Sequence, residues 1–122
     1  AVYRAQSLLD LSKTGEAVKG LENFVKKNAE SALGWYYLGR AYHQNNRYKD
    51  AEKAFNQALD LRRNFTQASL SMGFMFEETG KTDQAIKIYK ELYDDAQDVT
   101  AASRLATIYL KKEKYQEAVH YL

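Results

Sequence analysis

The residues of this chain with the chemistry for proton transfer or metal binding are two histidines and two adjacent acidic pairs. Successive residues of a helix point about 100° apart, so neither acidic pair can direct both of its carboxylates at one metal ion. We interpret both pairs as solvated charge on helix surfaces, and the second histidine as a solvated side chain. The residues concerned are Glu77–Glu78, Asp94–Asp95, His43 and His120.

Signatures of catalytic or cofactor-binding sites are missing from the sequence. It has no cysteine, which excludes a disulfide framework, a thiolate zinc site and a cysteine nucleophile. It also lacks a glycine-rich phosphate loop, an HExxH metal motif and a nucleophile elbow. We therefore predict that the chain is not an enzyme and that it holds no metal ion and no cofactor.

The size and charge of the chain narrow the range of partners. Its 122 residues fit one domain, and 18 basic and 16 acidic residues leave a net charge of +2, too balanced to predict nucleic-acid binding. No apolar run approaches the ~20 residues of a membrane-spanning helix, so we expect no direct membrane insertion. Bacterial cytoplasm and periplasm are both compatible with this composition. Because the chain lacks an initiator methionine and ends within an apolar pattern, we interpret it as a segment of a longer protein.

A period of about 34 residues runs along the whole chain. In the best-formed copy, large and small apolar residues follow a fixed order, and the next copy repeats that order one period later. Such a period is typical of stacked helical repeats. The best-formed copy contains Trp35, Leu38, Gly39, Tyr42, Ala51, Phe55 and Ala58, and the next contains Ser69, Met72, Gly73, Phe76, Ala85, Tyr89 and Leu92.

Each period reads as two amphipathic helices separated by a polar turn. The apolar residues recur at helical spacing on either side of breaks such as 45–47 and 79–82. We expect Gly80 to end one helix and Thr82 to cap the next. The predicted repeats are 1–31, 32–65, 66–98 and 99–122, and their second helices are expected to begin near Thr14, Tyr48, Thr82 and Tyr115.

Small residues recur at two positions of the repeat. A glycine inside a helix costs about 1 kcal/mol relative to alanine, so Gly39 and Gly73 at matching positions need a structural reason. We expect that they allow the two helices of a pair to approach closely. The small residues are Ala5, Gly39, Gly73 and Ala106 at one position, and Ala17, Ala51, Ala85 and Ala118 at the other.

The spacing of Trp35, Leu38–Gly39, Tyr42, Ala51, Phe55 and Ala58 resembles the signature of the tetratricopeptide repeat (TPR) family. The resemblance covers the whole chain as about four repeats, of which the first and last are incomplete. It departs from the family pattern at Ser69, Leu92 and Arg4, and it lacks the usual proline near each repeat end. The resemblance implies an all-α fold, a right-handed α-solenoid of stacked antiparallel helix pairs in a single domain.

In this family the first helix of each pair lines a concave groove that binds peptides or helices of partner proteins. Tyr36, Tyr37 and Phe74 stand out among the groove positions, because exposed aromatic residues are frequent binding anchors. The alternative is that these rings pack against neighbouring repeats. The resemblance assigns to the groove Tyr3, Gln6, Tyr36, Tyr37, Arg40, His43, Gln67, Leu70, Ser71, Phe74, Arg104, Thr107 and Lys111, together with Val2, Leu9, Leu33, Gln44, Glu78, Thr100 and Ser103.

One subgroup of the family binds acidic chaperone tails through a carboxylate clamp of Lys, Asn, Asn, Lys and Arg. Of the clamp positions carried onto repeats two to four, only Arg104 matches, and Arg40 is a cation in the wrong place. We therefore expect no chaperone-tail binding. The clamp positions are occupied by Tyr36, Arg40, Ser71, Thr100 and Arg104.

The leading hypothesis is a protein–protein interaction module or scaffold that holds a peptide or helix of a partner in the groove. The alternative is a structural spacer or a self-association segment of a larger protein. RNA binding by a related helical repeat is weakly supported, because the groove positions show no continuous basic stripe.

Overall fold

The computed structural model describes the backbone of residues 2–122 and the side chains of residues 15–122, and it contains only helices and turns over that range. This confirms the predicted all-α class. Apolar residues at helical spacing, with no proline anywhere in the chain, account for the helix content. The seven helices are α1 Val2–Lys27, α2 Ala32–Gln44, α3 Tyr48–Leu61, α4 Thr66–Glu78, α5 Thr82–Ala96, α6 Val99–Lys111 and α7 Tyr115–His120.

Helices α2, α4 and α6 begin at the first residues of the second, third and fourth predicted repeats. Two of these starts have a side-chain cap. Ser31 accepts a hydrogen bond from the backbone N–H of Gly34 (3.1 Å), and Asp98 accepts one from that of Ala101 (2.8 Å). Each cap satisfies a donor of the first helical turn that has no partner within the helix.

The turn between the two helices of a pair has the same geometry in three repeats. One residue in each turn has a left-handed backbone: Asn46 (φ 61°), Gly80 (φ 79°) and Glu113 (φ 60°). The N–H of the following residue then bonds to a carbonyl five residues earlier, as from Arg47 to Tyr42 (2.9 Å). This is the Schellman pattern of helix termination, and it confirms that Gly80 ends a helix.

Two details of the predicted helix boundaries are wrong. The predicted helix start near Thr14 is not observed, because α1 is one continuous 26-residue helix. No proline stands near that position, and a helix tolerates one glycine such as Gly15 at a cost of about 1 kcal/mol. Thr82 is not a cap either: Lys81 is the N-cap of α5 and makes no side-chain capping bond.

The chain divides into two compact units, Ala1–Ala68 and Ser69–Leu122. In the first unit the core lies between α1, α2 and α3, and Phe65 adds to it just before α4. The indole of Trp35 is half-buried, and its Nε1 donates to the carbonyl of Ala29 (2.9 Å). The larger buried side chains of this unit are Val18, Val25, Tyr36, Leu38, Tyr42, Phe55 and Phe65.

The second unit packs α4, α5, α6 and α7. Tyr89 of α5 and Leu105 of α6 are fully buried. An aromatic cluster lies near its end, where the ring of Tyr121 stacks on Tyr109 (6.1 Å between centroids) and meets Tyr93 edge-on (5.0 Å). The larger buried side chains of this unit are Met72, Met75, Phe76, Tyr89, Leu105, Ile108 and Tyr109. That the repeats form one domain stays a prediction.

The glycines of the repeat lie where two paired helices approach each other most closely. A Cβ added to Gly39 of α2 would lie 2.7 Å from the ring of Phe55 in α3. A Cβ added to Gly73 of α4 would lie 2.5 Å from the ring of Tyr89 in α5. Both distances are shorter than side-chain carbons tolerate, so the expected close approach is confirmed at both positions.

Replacement of Gly73 by leucine should therefore overpack the contact between α4 and α5. Tyr89 is fully buried, so neighbouring side chains prevent its ring from moving away from a larger residue at position 73. We expect Gly73→Leu to lower the free energy of unfolding by roughly 1–3 kcal/mol. The matched control is Gly20→Leu in α1, where an added Cβ meets nothing within 4 Å. Thermal melts of both variants against the parent check this, and a Gly73→Leu melt that overlays the parent would contradict it.

Replacement of Gly80 by alanine should destabilise the fold for a different reason. Its added Cβ would meet nothing within 4 Å, so only the left-handed backbone (φ 79°) penalises the substitution. We expect a loss of about 1 kcal/mol in the free energy of unfolding. Gly20→Ala, in an ordinary helix, should gain roughly 0.5–1 kcal/mol. Urea denaturation measures both, and equal signs for the two variants would refute the explanation.

Candidate protein-binding surface

One face of α2 exposes an apolar residue, an aromatic residue and a cation in line. Leu33 and Tyr37 are 52% and 45% exposed, and Arg40 is also exposed. They stand at i, i+4 and i+7, which places them on one side of the helix. We call these three residues the α2 stripe. An exposed aromatic residue next to an exposed leucine and an arginine makes this face a candidate binding surface.

Tyr36, the residue before Tyr37, is buried instead. It is 8% exposed, and its ring lies 5.0 Å from that of Phe65 and 6.2 Å from that of Phe55. The alternative left open by the sequence, packing against neighbouring elements, therefore describes Tyr36. The ring of Tyr36 also lies 5.2 Å from that of Tyr37, so the buried tyrosine packs against the exposed one.

Arg40 lies over these two tyrosine rings. Its guanidinium carbon is 5.7 Å from the ring centre of Tyr36 and 6.0 Å from that of Tyr37. Both distances fall within the range of cation–π attraction. His43, one turn further along α2, is half-buried and lies 5.8 Å from the ring of Tyr48.

In α4 the predicted groove residues differ in exposure. Gln67 is exposed, Leu70 and Ser71 are half-buried, and Phe74 is 38% exposed. The ring of Phe74 lies 6.2 Å from that of Tyr89 in α5. Phe74 therefore keeps one edge in the core of the second unit while part of its surface remains open to a ligand.

In α6, the predicted residue Arg104 is engaged within the second unit. Its Nε donates to Glu77 of α4 (3.1 Å), and its Nη2 donates to the other oxygen of the same carboxylate. The hydroxyl of Tyr89 in α5 donates to that carboxylate too. Three helices of the unit thus meet at one carboxylate. Thr107 donates to the carbonyl of Ser103 (2.9 Å), and Lys111 is exposed.

The charge state of Glu77 follows from these contacts. Burial alone would raise the pKa of its carboxyl, but the hydrogen bonds from Arg104 and Tyr89 and the charges of Arg104 and Lys111 lower the pKa below the ordinary 4.5. Burial and the bond to Glu77 raise the pKa of Tyr89. A similar pair occurs in the first unit, where Tyr42 donates to Glu22 (3.0 Å), and burial and this bond raise the pKa of Tyr42 to about 12.

The interpretation of Glu77 as solvated charge is therefore wrong: its side chain is 17% exposed and forms an ion pair with Arg104. The sequence carried one signal of this role. Tyr89 stands where Phe55 stands one period earlier, and a tyrosine that is buried at such a position needs a hydrogen-bond partner for its hydroxyl. Which carboxylate supplies it could not be read from spacing.

Four predicted groove residues, Val2, Tyr3, Gln6 and Leu9, lie outside the residues whose side chains the structure describes. Among the described residues, no three His, Asp or Glu side chains are grouped so as to hold a metal ion. No helix in the described part of the chain has both the length and the apolar character to cross a bilayer.

Comparison with known proteins places the fold in a class. The crystal structure of MamA superposes with a TM-score of 0.82 at 25% sequence identity, over 95% of this chain and 68% of that one. Together with the repeat and the paired helices, this defines an α-solenoid of the TPR class and confirms the predicted fold class. Domains of this class act as protein–protein interaction scaffolds.

A family profile described as the cytochrome c-type biogenesis protein H TPR domain matches residues 15–122, and the chain belongs to that family. The formate-dependent nitrite reductase complex bifunctional subunit NrfFG of Haemophilus influenzae is 30% identical over 117 residues, covering 93% of this chain. The cytochrome c-type biogenesis protein CycH of Pseudomonas aeruginosa is 30% identical over 108 residues, covering 85% of it. The chain spans only 30% and 26% of the lengths of these two relatives.

The carboxylate of Glu77 should make stability depend on acidic pH. Because its pKa is lower in the folded state, its contribution is complete above the unfolded value, near 4.5, and is lost as the pH falls through the folded value. We expect Glu77→Gln to destabilise the parent by about 1–3 kcal/mol at neutral pH, and the difference to shrink in acid.

Urea denaturation from neutral to acidic pH measures that difference. The matched control is Glu91→Gln, which neutralises an exposed carboxylate of α5 in the same unit. It should leave the free energy of unfolding within about 0.5 kcal/mol of the parent. A Glu77→Gln difference that is constant over the whole pH range would contradict the assignment.

Proposed function

We propose that this chain is a protein-binding module of cytochrome c-type biogenesis, and that it holds a peptide or short helix of its partner in the concave groove formed by the first helices of its repeats. The observation that carries the proposal is the exposure of Tyr37 and Phe74 on such helices, in a chain whose family is the TPR domain of a cytochrome c-type biogenesis protein. Tyrosine and phenylalanine provide large apolar contact at little cost in conformational entropy.

The exposed groove positions favour a mixed apolar and polar ligand. In α2 the stripe combines Leu33, Tyr37 and Arg40, and in α4 Phe74 is flanked by the half-buried Leu70 and Ser71. Such a surface suits an amphipathic helix, which lays apolar side chains one turn apart into a groove, or an extended peptide with alternate apolar side chains.

The partner class follows from the family. Biogenesis of a c-type cytochrome acts on the polypeptide chain of that cytochrome. We therefore propose a haem-free cytochrome c polypeptide as the ligand. CycH carries cytochrome c-type biogenesis in its name, and NrfFG is named as a subunit of a nitrite reductase complex. Because this chain spans under a third of each relative, the activities of the whole proteins remain proposals here.

A second candidate function, self-association, is favoured by the exposed apolar side chains of α7 and by Leu122. Tyr115 and Val119 are 61% and 65% exposed, and Leu122 is 83% exposed. Apolar ends of helical repeats can stack on one another. Sedimentation over a range of concentrations tests this, and a monomer at every concentration would count against it.

The groove hypothesis predicts that Tyr37→Ala with Phe74→Ala weakens ligand binding at least ~10-fold, because exposed aromatic anchors contribute about 1–2 kcal/mol or more each. The probes are overlapping synthetic peptides that cover one haem-free cytochrome c polypeptide, with affinity read by fluorescence anisotropy. Circular dichroism checks that the variant keeps its helix content.

The matched control for this test is Tyr115→Ala, which removes an exposed tyrosine from α7, the second helix of its pair and so not one of the helices proposed to line the groove. It should bind like the parent. Equal affinity of the double variant and the parent would reject the groove as the site. Failure of every peptide to bind the parent would reject a cytochrome polypeptide as the partner.

A further inference from the structure

Arg40 has an arrangement that the general groove proposal does not use. It is exposed on α2, and the contacts that fix it are made with the faces of two tyrosine rings rather than with a carboxylate. We infer that Arg40 selects partner segments that carry an aspartate or glutamate side chain about one helical turn from an apolar residue. This inference rests on the proposed function and specifies the ligand of the same surface.

The guanidinium lies within cation–π distance of two rings before any ligand arrives. Tyr36, one of its two ring partners, is buried against Phe55 and Phe65 and cannot rearrange freely. A cation–π contact uses no hydrogen bond of the guanidinium, so its N–H groups are available as donors. A pre-oriented arginine loses less side-chain entropy when it binds a carboxylate, which strengthens the contact.

No carboxylate of the described side chains neutralises Arg40. Helix α2 contains no Asp or Glu, so no partner stands three or four residues away. In contrast, Arg47 pairs with Asp50 (2.8 Å) and Arg104 pairs with Glu77. Arg40 is therefore the arginine of the proposed groove whose charge is left for a ligand.

The α2 stripe also defines the spacing of the ligand. Tyr37 and Leu33 lie one and two helical turns from Arg40 on the same side of the helix. Complementary side chains are an acidic residue at Arg40 and an apolar residue that covers Tyr37 and Leu33. An amphipathic segment with Leu and Glu three or four residues apart supplies both.

A side-chain carboxylate fits this surface better than the carboxylate at a chain end. TPR domains that hold a chain end use a clamp of several polar side chains, and here most clamp positions carry other residues, including the buried Tyr36. Arg104, the matching cation, already binds Glu77. A single guanidinium beside aromatic rings suits one acidic side chain on an otherwise apolar face.

Designed peptides test the inference. Three share one amphipathic sequence with leucines on the apolar face, are acetylated and amidated at their ends, and carry Glu, Gln or Lys one turn from a leucine. A fourth carries Gln and a free C-terminal carboxylate. We expect the Glu peptide to bind the parent ~10-fold more tightly than the Gln peptide, the Lys peptide to bind least, and the preference to fall at high salt.

Three variants separate the possible causes of that preference. Arg40→Gln should reduce the Glu-to-Gln affinity ratio to about 1, whereas Arg63→Gln, which removes the same charge from an exposed position after α3, should preserve it. Tyr37→Ala should weaken both the Glu and the Gln peptide, because it removes apolar contact, and should lower the Glu-to-Gln ratio only in part, because the ring of Tyr36 still lies beside Arg40.

Four outcomes would overturn the inference. Two concern the variants: an unchanged Glu-to-Gln affinity ratio in Arg40→Gln, or an equal loss of that ratio in Arg63→Gln. Two concern the peptides: tight binding of the fourth peptide, which would indicate recognition of a chain-end carboxylate, or no binding of any designed peptide.

The proposed function fails separately, if cytochrome peptides bind the parent and the Tyr37→Ala/Phe74→Ala variant equally. Loss of the charge preference while cytochrome peptides still bind overturns only the role of Arg40.

Discussion

The close approach of paired helices at glycine is the constraint on which the rest of the structure depends. At Gly39 the ring of Phe55 occupies the space that a Cβ would fill, and at Gly73 the ring of Tyr89 does the same. Because these rings are directed into the paired helix, they are fully buried and form the centre of each unit. Tyr37, two residues before Gly39, lies on the far side of α2 from this contact and remains exposed. Phe74, next to Gly73, keeps one ring edge near Tyr89 of α5 and is exposed only in part.

The sequence predicted the repeat and most helix starts, because those follow from residue size and from glycine at a turn. It did not predict the backbone conformation of individual turn residues. Asn46, Gly80 and Glu113 have the same left-handed conformation, yet only Gly80 signals it by residue type. The hydrogen bonds that end the preceding helix accompany the turn in each case, and Asn46 and Glu113 adopt the conformation without being glycine. Near Thr14, where a helix start was predicted, α1 continues without interruption, because the flanking residues are helical and a single glycine costs only about 1 kcal/mol.

The candidate site shows the same limit at the level of side chains. The family resemblance assigned both Tyr36 and Tyr37 to the groove. Neighbouring residues of a helix point about 100° apart, however, and of these two tyrosines only Tyr37 is exposed. The contact between Glu77 and Arg104 joins residues 27 positions apart on different helices. This contact depends on how α4 packs against α6, and the spacing of residues along the sequence does not predict that packing. Spacing therefore identifies helix faces well, and it identifies partners across helices poorly.

Arg40 and Arg104 illustrate how surroundings separate two identical side chains. Both belong to the first helix of a repeat and both were predicted to line the groove, although only Arg104 stands where the carboxylate clamp has an arginine. In the structure Arg104 donates to both oxygens of Glu77, and Tyr89 donates to the same carboxylate, so its charge holds α4, α5 and α6 together. A ligand carboxylate would have to replace Glu77 and leave a half-buried acid without its cation, which is costly. Among the described side chains, Arg40 contacts the rings of Tyr36 and Tyr37 and forms no ion pair that a ligand carboxylate would have to break.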